Sequence, residues 1–82
     1  MKFMVEVQLE PGMRNKAIAA FEQRGPSRNP GVSFVGAWIG NRSDVAFVLV
    51  EAEDESRVAK AAASWPDFGE AKIHAVVDVQ QY

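Results

Sequence analysis

The sequence predicts an α+β domain in which four strands and two helices follow one another in the order β-α-β-β-α-β. Residues 2–9 alternate between apolar and polar side chains, which is the period of a half-buried strand. Residues 46–50 are apolar at every position and predict a strand that is covered on both faces. Two segments, 13–21 and 58–65, carry apolar residues at helical spacing. Together these patterns indicate an antiparallel sheet with two amphipathic helices packed on it.

The first strand is predicted over residues 2–9, and the first helix follows it directly. Pro11 fits the first turn of a helix, where its missing N–H costs nothing. Gly25 and Pro26 are expected to end this helix, because neither residue type continues one well. The helix is predicted to bury one stripe of side chains, made of Met13, Ala17, Ala20 and Phe21.

The second and third strands are predicted to form a hairpin. Gly36 interrupts the second strand, residues 32–39, and is typical of a bulge or of a close approach by another group. Residues 40–43 form the connection and are of types that tolerate positive φ. Strict alternation places Phe34 and Trp38 on one face of the sheet. The same alternation assigns to the other face Val35, Ala37 and Ile39.

The second helix is predicted to begin at Asp54, a favourable N-cap residue. Its buried stripe consists of Val58, Ala61, Ala62 and Trp65. Pro66 closes the helix, because proline disfavours helical geometry in the residue before it. Residues 68–70 are then expected to be a linker, and residues 71–79 the last strand.

This order of elements is that of ferredoxin-like folds, here as one domain over residues 1–82. Right-handed crossovers place both helices on one face of the sheet, with the strands in the order 4-1-3-2. In strands one and four we expect Phe3 to pair with Val77, and Glu6 with His74. That register sets apolar against apolar on one face and polar against polar on the other.

Composition excludes several classes of function. The chain has 82 residues and a net charge of -2, and its nine basic residues are scattered, so nucleic acid and anionic membranes are not expected partners. With no cysteine and one histidine, we expect neither a disulfide nor a metal site, and no motif calls for a cofactor. The first residues lack the apolar run of a signal peptide and no stretch is long enough to span a membrane, so a cytoplasmic protein is expected.

The second face of the predicted sheet indicates a partner. With both helices on one face, strands two and three would leave a contiguous apolar patch in water. Packing two such sheets face to face about a two-fold axis would cover the patch. A domain of this size also gains from association, because its own core is small. We therefore expect a homodimer that joins through the open face of the sheet.

Polar side chains on strands one and four indicate a ligand site beside that patch. Apolar walls with a few convergent polar groups are the usual form of a small-molecule cleft. His74 is the candidate for catalysis, as a general acid or base that Glu6 orients. Alternatively, Glu6 and His74 are a cross-strand pair at a partly wet interface, and Trp38 serves packing. The residues expected to bind a small organic molecule are Glu6, Gln8, Trp38 and His74.

Several short motifs resemble a bacterial family of small proteins of unknown function. They are the opening MKFMV, the EPG before helix one, the PGV that starts at Pro30, the FVLVEAED block and the SWPDF after helix two. That family belongs with the dimeric α/β-barrel proteins of ferredoxin-like fold, so the resemblance implies this fold and a dimer. Related barrel families include cofactor-independent monooxygenases, lactone isomerases and haem- or stress-associated proteins, an analogy of fold only. Three functions stay open: a ligand-binding barrel, an interaction module whose open face only dimerises, and a monooxygenase- or isomerase-like enzyme.

Overall fold

The computed structural model describes residues 1–23 and 30–82, and the predicted order of elements is confirmed. The strands are β1 (Lys2–Leu9), β2 (Val32–Ile39), β3 (Val45–Ala52) and β4 (Gly69–Val76), and the helices are α1 (Arg14–Glu22) and α2 (Glu55–Ala63). The strands form one antiparallel sheet in the order β2-β3-β1-β4, which is the predicted order read from the other edge. None of the described helices combines the length and the apolar character that crossing a bilayer requires.

The core lies between the sheet and the two helices. Alternate side chains of the central strands point into it. The opposite side of the sheet, called the open face below, carries neither of the two described helices. Phe21 of α1 makes edge-to-face contacts with Trp65 at 5.4 Å and with Phe68 at 5.5 Å between ring centroids. These contacts hold α1 against the end of α2 and the start of β4. The core residues of the central strands are Phe3, Val5, Val7, Leu9, Ala46, Val48, Val50 and Ala52.

Helix α1 begins at Arg14, so the placement of Pro11 in its first turn is wrong. Pro11 and Gly12 form a turn, and Met13 precedes the helix without a side-chain cap. Gly12 has a φ of +84°, which a right-handed helix does not accommodate. The helix ends at Glu22, and the predicted stop at Gly25 and Pro26 lies outside the described residues.

The predicted interruption at Gly36 is confirmed as a bulge in β2. The pairing of β2 with β3 shifts between Phe34 and Gly36, which reverses the alternation of faces. The predicted grouping of Phe34 with Trp38 is therefore wrong. Phe34 pairs with Val50 on the helix side, whereas Trp38 pairs with Phe47 on the open face. Two residues that were assigned to the other face join Phe34 on the helix side, namely Ala37 and Ile39.

Helix α2 and its N-cap are confirmed, whereas its end and the bounds of the last strand are corrected. The helix ends at Ala63, so Trp65 follows it and is not part of its stripe. The carboxylate of Asp54 accepts hydrogen bonds from the backbone N–H of Arg57 at 3.0 Å and from the hydroxyl of Ser56 at 2.7 Å. Residues 69 and 70 belong to β4 and not to a linker, and residues 79–81 form a 3-10 turn in place of the strand end. The N–H of Glu10 donates to the carbonyl of Phe68 at 2.8 Å, so the chain joins β1 earlier than predicted.

Strands β1 and β4 pair two residues away from the predicted register. Phe3 pairs with Ala75, and Glu6 pairs with Lys72. A shift of two keeps every side chain on its predicted face, because side chains alternate with a period of two. His74 is therefore on the same face as Glu6, but as its diagonal neighbour. This register requires glycine at position 69, because φ there is +149° and a Cβ would overlap the Gln8 carbonyl oxygen.

Candidate functional site

Paired residues on the open face form rows that run across all four strands. In the order β2-β3-β1-β4, the first row contains Trp38, Phe47, Glu6 and Lys72. The neighbouring row contains Gly36, Leu49, Met4 and His74. Both rows begin with apolar residues on β2 and β3 and end with a polar residue on β4. The open face therefore has an apolar half and a polar half.

The apolar half leaves large side chains exposed. Trp38 is 55% exposed and Val35 is 48% exposed. The indole of Trp38 leans over Gly36, where a Cβ would lie 3.2 Å from the ring atom Cη2. On β3 the open-face side chains are only half-buried, so a single chain does not provide the predicted cover on both faces of this strand. The apolar patch, as the name is used below, consists of Met4, Trp38, Phe47 and Leu49.

The polar half brings together three of the four predicted ligand-binding residues. His74 Nε2 lies 3.1 Å from Glu6 Oε1, and both side chains are partly exposed. Gln8 lies on the same face, and its Nε2 donates to the backbone carbonyl of Asp44 at 3.2 Å. The amide of Gln8 thus ties β1 to the start of β3. The Glu6 carboxylate orients the His74 imidazole through this contact. The predicted acid–base role requires such a contact, and a purely structural cross-strand pair would make the same one.

A shallow cavity of about 110 Å³ opens beside the Glu6–His74 pair. Two of the residues that line it were not predicted to belong to the site. The lining residues are Glu6, Gln8, Glu70 and Lys72. Glu70 was missed because it was placed in a linker, whereas Lys72 was placed beside Gln8 on the correct face but was not counted among the site residues. Among the described residues Lys72 forms no ion pair, so its ammonium group can donate to a bound acceptor.

Trp38, the fourth predicted ligand-binding residue, lies away from this cavity. It is on the edge strand β2, whereas His74 is on the opposite edge strand β4. Three strand spacings, together about 14 Å, separate the two strands. Within one chain, the aromatic and the polar parts of the predicted site therefore lie at opposite edges of the open face.

Two more cavities lie away from the polar half. One, of about 160 Å³ between α1 and β2, is lined mainly by apolar side chains that include Ile18, Phe21 and Ile39. The other, of about 450 Å³, lies at the start of α2 beside Pro30, Arg57 and Lys60. Across residues 1–23 and 30–82 no three His, Cys, Asp or Glu side chains are placed to hold a metal ion. The lining of the second cavity also includes Asp54 and Ser56, so it is polar too, but only the cavity beside Glu6 lies on the open face.

Comparison with known proteins identifies a family and no activity. A family model described as a domain of unknown function, DUF3303, matches residues 1–82, the whole of this chain. No curated protein and no solved structure matches the chain significantly. The resemblance to a family of small proteins of unknown function is thereby confirmed, and the chain belongs to the DUF3303 family.

Proposed function

We propose that this protein is a homodimer, joined through the open face, that binds a small organic molecule in a cleft at the polar half. The open face itself carries the proposal. Trp38 is exposed and Phe47 is half-buried, and together they form an apolar surface. Glu6 lies in the same row as these two residues, and its contact of 3.1 Å with His74 reaches the neighbouring row. Apolar walls with a few convergent polar groups are the usual composition of small-molecule sites.

The exposed surface of the chain supports a second copy as the partner. The chain exposes 5776 Å², whereas about 4,900 Å² is expected for a compact monomer of 9.0 kDa. The net charge of -2 is small, so electrostatic repulsion between two copies is weak. Face-to-face packing of two sheets would cover the apolar patch of each copy.

The polar half determines the chemistry of the proposed ligand. Lys72 supplies hydrogen-bond donors, and the carboxylates of Glu6 and Glu70 supply acceptors. A hydroxyl or carboxylate group on the ligand would find a partner among them. Met4 and Leu49, in the neighbouring row, offer an apolar surface for the remainder of the molecule. We therefore propose a small molecule with an apolar body and one oxygen-bearing end.

A purely structural dimer is the second candidate, and the size of the cavity favours it. About 110 Å³ is well below the roughly 300–1,000 Å³ of typical ligand pockets. A second copy must therefore either complete the cleft or fill it, and in the latter case the open face serves dimerisation alone. A monooxygenase- or isomerase-like reaction would use the same cleft with His74 as the acid or base.

Native mass spectrometry of the protein purified from its source cells tests assembly and ligand together. We expect a species of twice the chain mass that carries a retained small molecule. His74→Ala should keep the dimer and lose the retained molecule. A bare dimer that His74→Ala leaves unchanged would support the structural candidate. A monomer at micromolar concentration, confirmed by sedimentation equilibrium, would contradict the proposal.

Two variants that each add one carboxylate test the proposed interface. Trp38→Glu introduces an unpaired charge into the apolar patch and should give a folded monomer, because burial of such a charge is costly. Ala19→Glu changes an exposed residue of α1, on the other side of the sheet, and should leave the dimer intact. Circular dichroism verifies that both variants are folded. If Trp38→Glu dimerises as strongly as the wild type, the open face is not the interface.

A further inference from the structure

We infer that residues 77–82, which follow β4, form an arm that packs on the second copy of the chain. The inference rests on the dimer proposed above and adds a second contact surface to it. Val77, Val79 and Tyr82 of the arm are 63%, 89% and 98% exposed. A single chain thus leaves three large apolar side chains within six residues in water.

The arm has a defined shape although it buries no side chain of its own. The carboxylate of Asp78 accepts a hydrogen bond from the backbone N–H of Gln80 at 2.8 Å. The carbonyl of Asp78 accepts from the N–H of Gln81 at 2.9 Å, which closes the 3-10 turn. These hydrogen bonds lie within the arm. A preformed turn presents its apolar side chains in a fixed arrangement, which lowers the entropy that docking costs.

The position of the arm favours a second copy as its partner. Val76 lies opposite Lys2 and shares the open face with His74, so the arm begins at the rim of that face. Met4, at one end of the apolar patch, pairs with His74, two residues before Val76, so a copy that covers the whole patch can also reach the arm and bury both in one interface. The arm contains Asp78 and no basic residue, so an anionic membrane would repel it.

Replacement of the three apolar side chains tests the arm. The variant Val77→Ser, Val79→Ser, Tyr82→Ser should raise the dimer dissociation constant about tenfold or more in sedimentation equilibrium, because less apolar surface is buried. The control Gln80→Ser, Gln81→Ser changes polar residues of the same arm and should leave the constant within about twofold. If the wild type is a dimer and the arm variant has the same dissociation constant, the inference about the arm is overturned, whereas the proposed open-face dimer is not. A monomeric wild type overturns both.

A direct readout distinguishes contact with the partner from an indirect effect. In a mixture of isotope-labelled and unlabelled chains, isotope-filtered nuclear Overhauser spectra should show contacts between the Tyr82 ring and the other chain. The folded Trp38→Glu monomer serves as the control and should show none. Contacts of the Tyr82 ring confined to its own chain in the wild-type dimer would overturn the inference.

Discussion

At the scale of single residues, Gly69 affects the candidate site although it lies outside it. It begins β4 opposite Leu9, in a conformation that L side chains rarely adopt, with its α-carbon against the Gln8 carbonyl. A side chain at this position would push β4 away from β1 or shift its register. Because that register places Lys72 opposite Glu6 and His74 diagonal to it, the polar half depends on the absence of a Cβ at position 69.

Replacement of Gly69 by alanine is expected to destabilise the fold strongly. The strained backbone conformation and the overlap with Gln8 together should lower the free energy of unfolding by about 3 kcal/mol. Gly12→Ala is the matched control, because Gly12 also has a positive φ but nothing lies within 4 Å of a Cβ built there. It should cost only about 1–2 kcal/mol, the cost of the left-handed conformation. Urea unfolding at one protein concentration measures both, and equal losses would contradict the role of the Gln8 contact.

Among the elements, the two helices differ in how they begin. Helix α1 starts after a turn without a side-chain cap, whereas α2 has Asp54. The hydrogen bond from the Ser56 hydroxyl, and then the one from the Arg57 N–H, lower the pKa of the Asp54 carboxyl from its ordinary value of 3.8. The ionised carboxylate is therefore favoured in the folded chain. Stability from this cap is complete above pH 3.8 and is lost as the pH falls through the lower pKa of the folded state.

The variant Asp54→Asn separates the charge of the cap from its hydrogen bonding. The amide oxygen can still accept from the Arg57 N–H, but the side chain cannot ionise. The wild type should be more stable than the variant at neutral pH, and the difference should shrink as the pH falls below 3.8. Urea midpoints of the two proteins over a pH series measure this. A difference that stays constant down to acid pH would show that ionisation of Asp54 contributes nothing.

At the scale of the whole molecule, the two faces of the sheet differ in how far they are buried. The helix side is closed over a core whose central residues, such as Val5 and Val48, are fully buried. Among the described residues, the open face and the arm carry most of the large exposed apolar side chains. A second copy would cover both regions at once, which links the proposed assembly to the fold of the chain.

A dimer makes thermal stability depend on protein concentration. If folded chains associate and unfolded chains do not, mass action stabilises the folded state, and the midpoint of thermal unfolding should rise by several degrees over a hundredfold increase in concentration. Trp38→Glu, expected to be monomeric, should show a midpoint that does not change with concentration. Scanning calorimetry over that range measures both proteins. A wild-type midpoint independent of concentration would contradict the dimer.

The elements could be read from the sequence because their signals are local. Alternation in residues 2–9, the apolar block at 46–50 and the cap at Asp54 each depend on near neighbours along the chain, and each is found in the structure. The shared face of Glu6 and His74 was also predictable, since a shift of two residues preserves the face. Glu70 was missed as a site residue because its place depends on where β4 begins.

The sequence by itself determined the order of strands and helices, the order of the sheet and the existence of a face without a helix. Only the tertiary structure decided which residues meet on that face. The bulge at Gly36 places Phe34 on the helix side and Trp38 on the open face. The register that joins Glu6, Lys72 and His74 requires glycine at position 69. Both outcomes depend on close backbone contacts between segments distant along the chain, and a local period of two carries no information about such contacts.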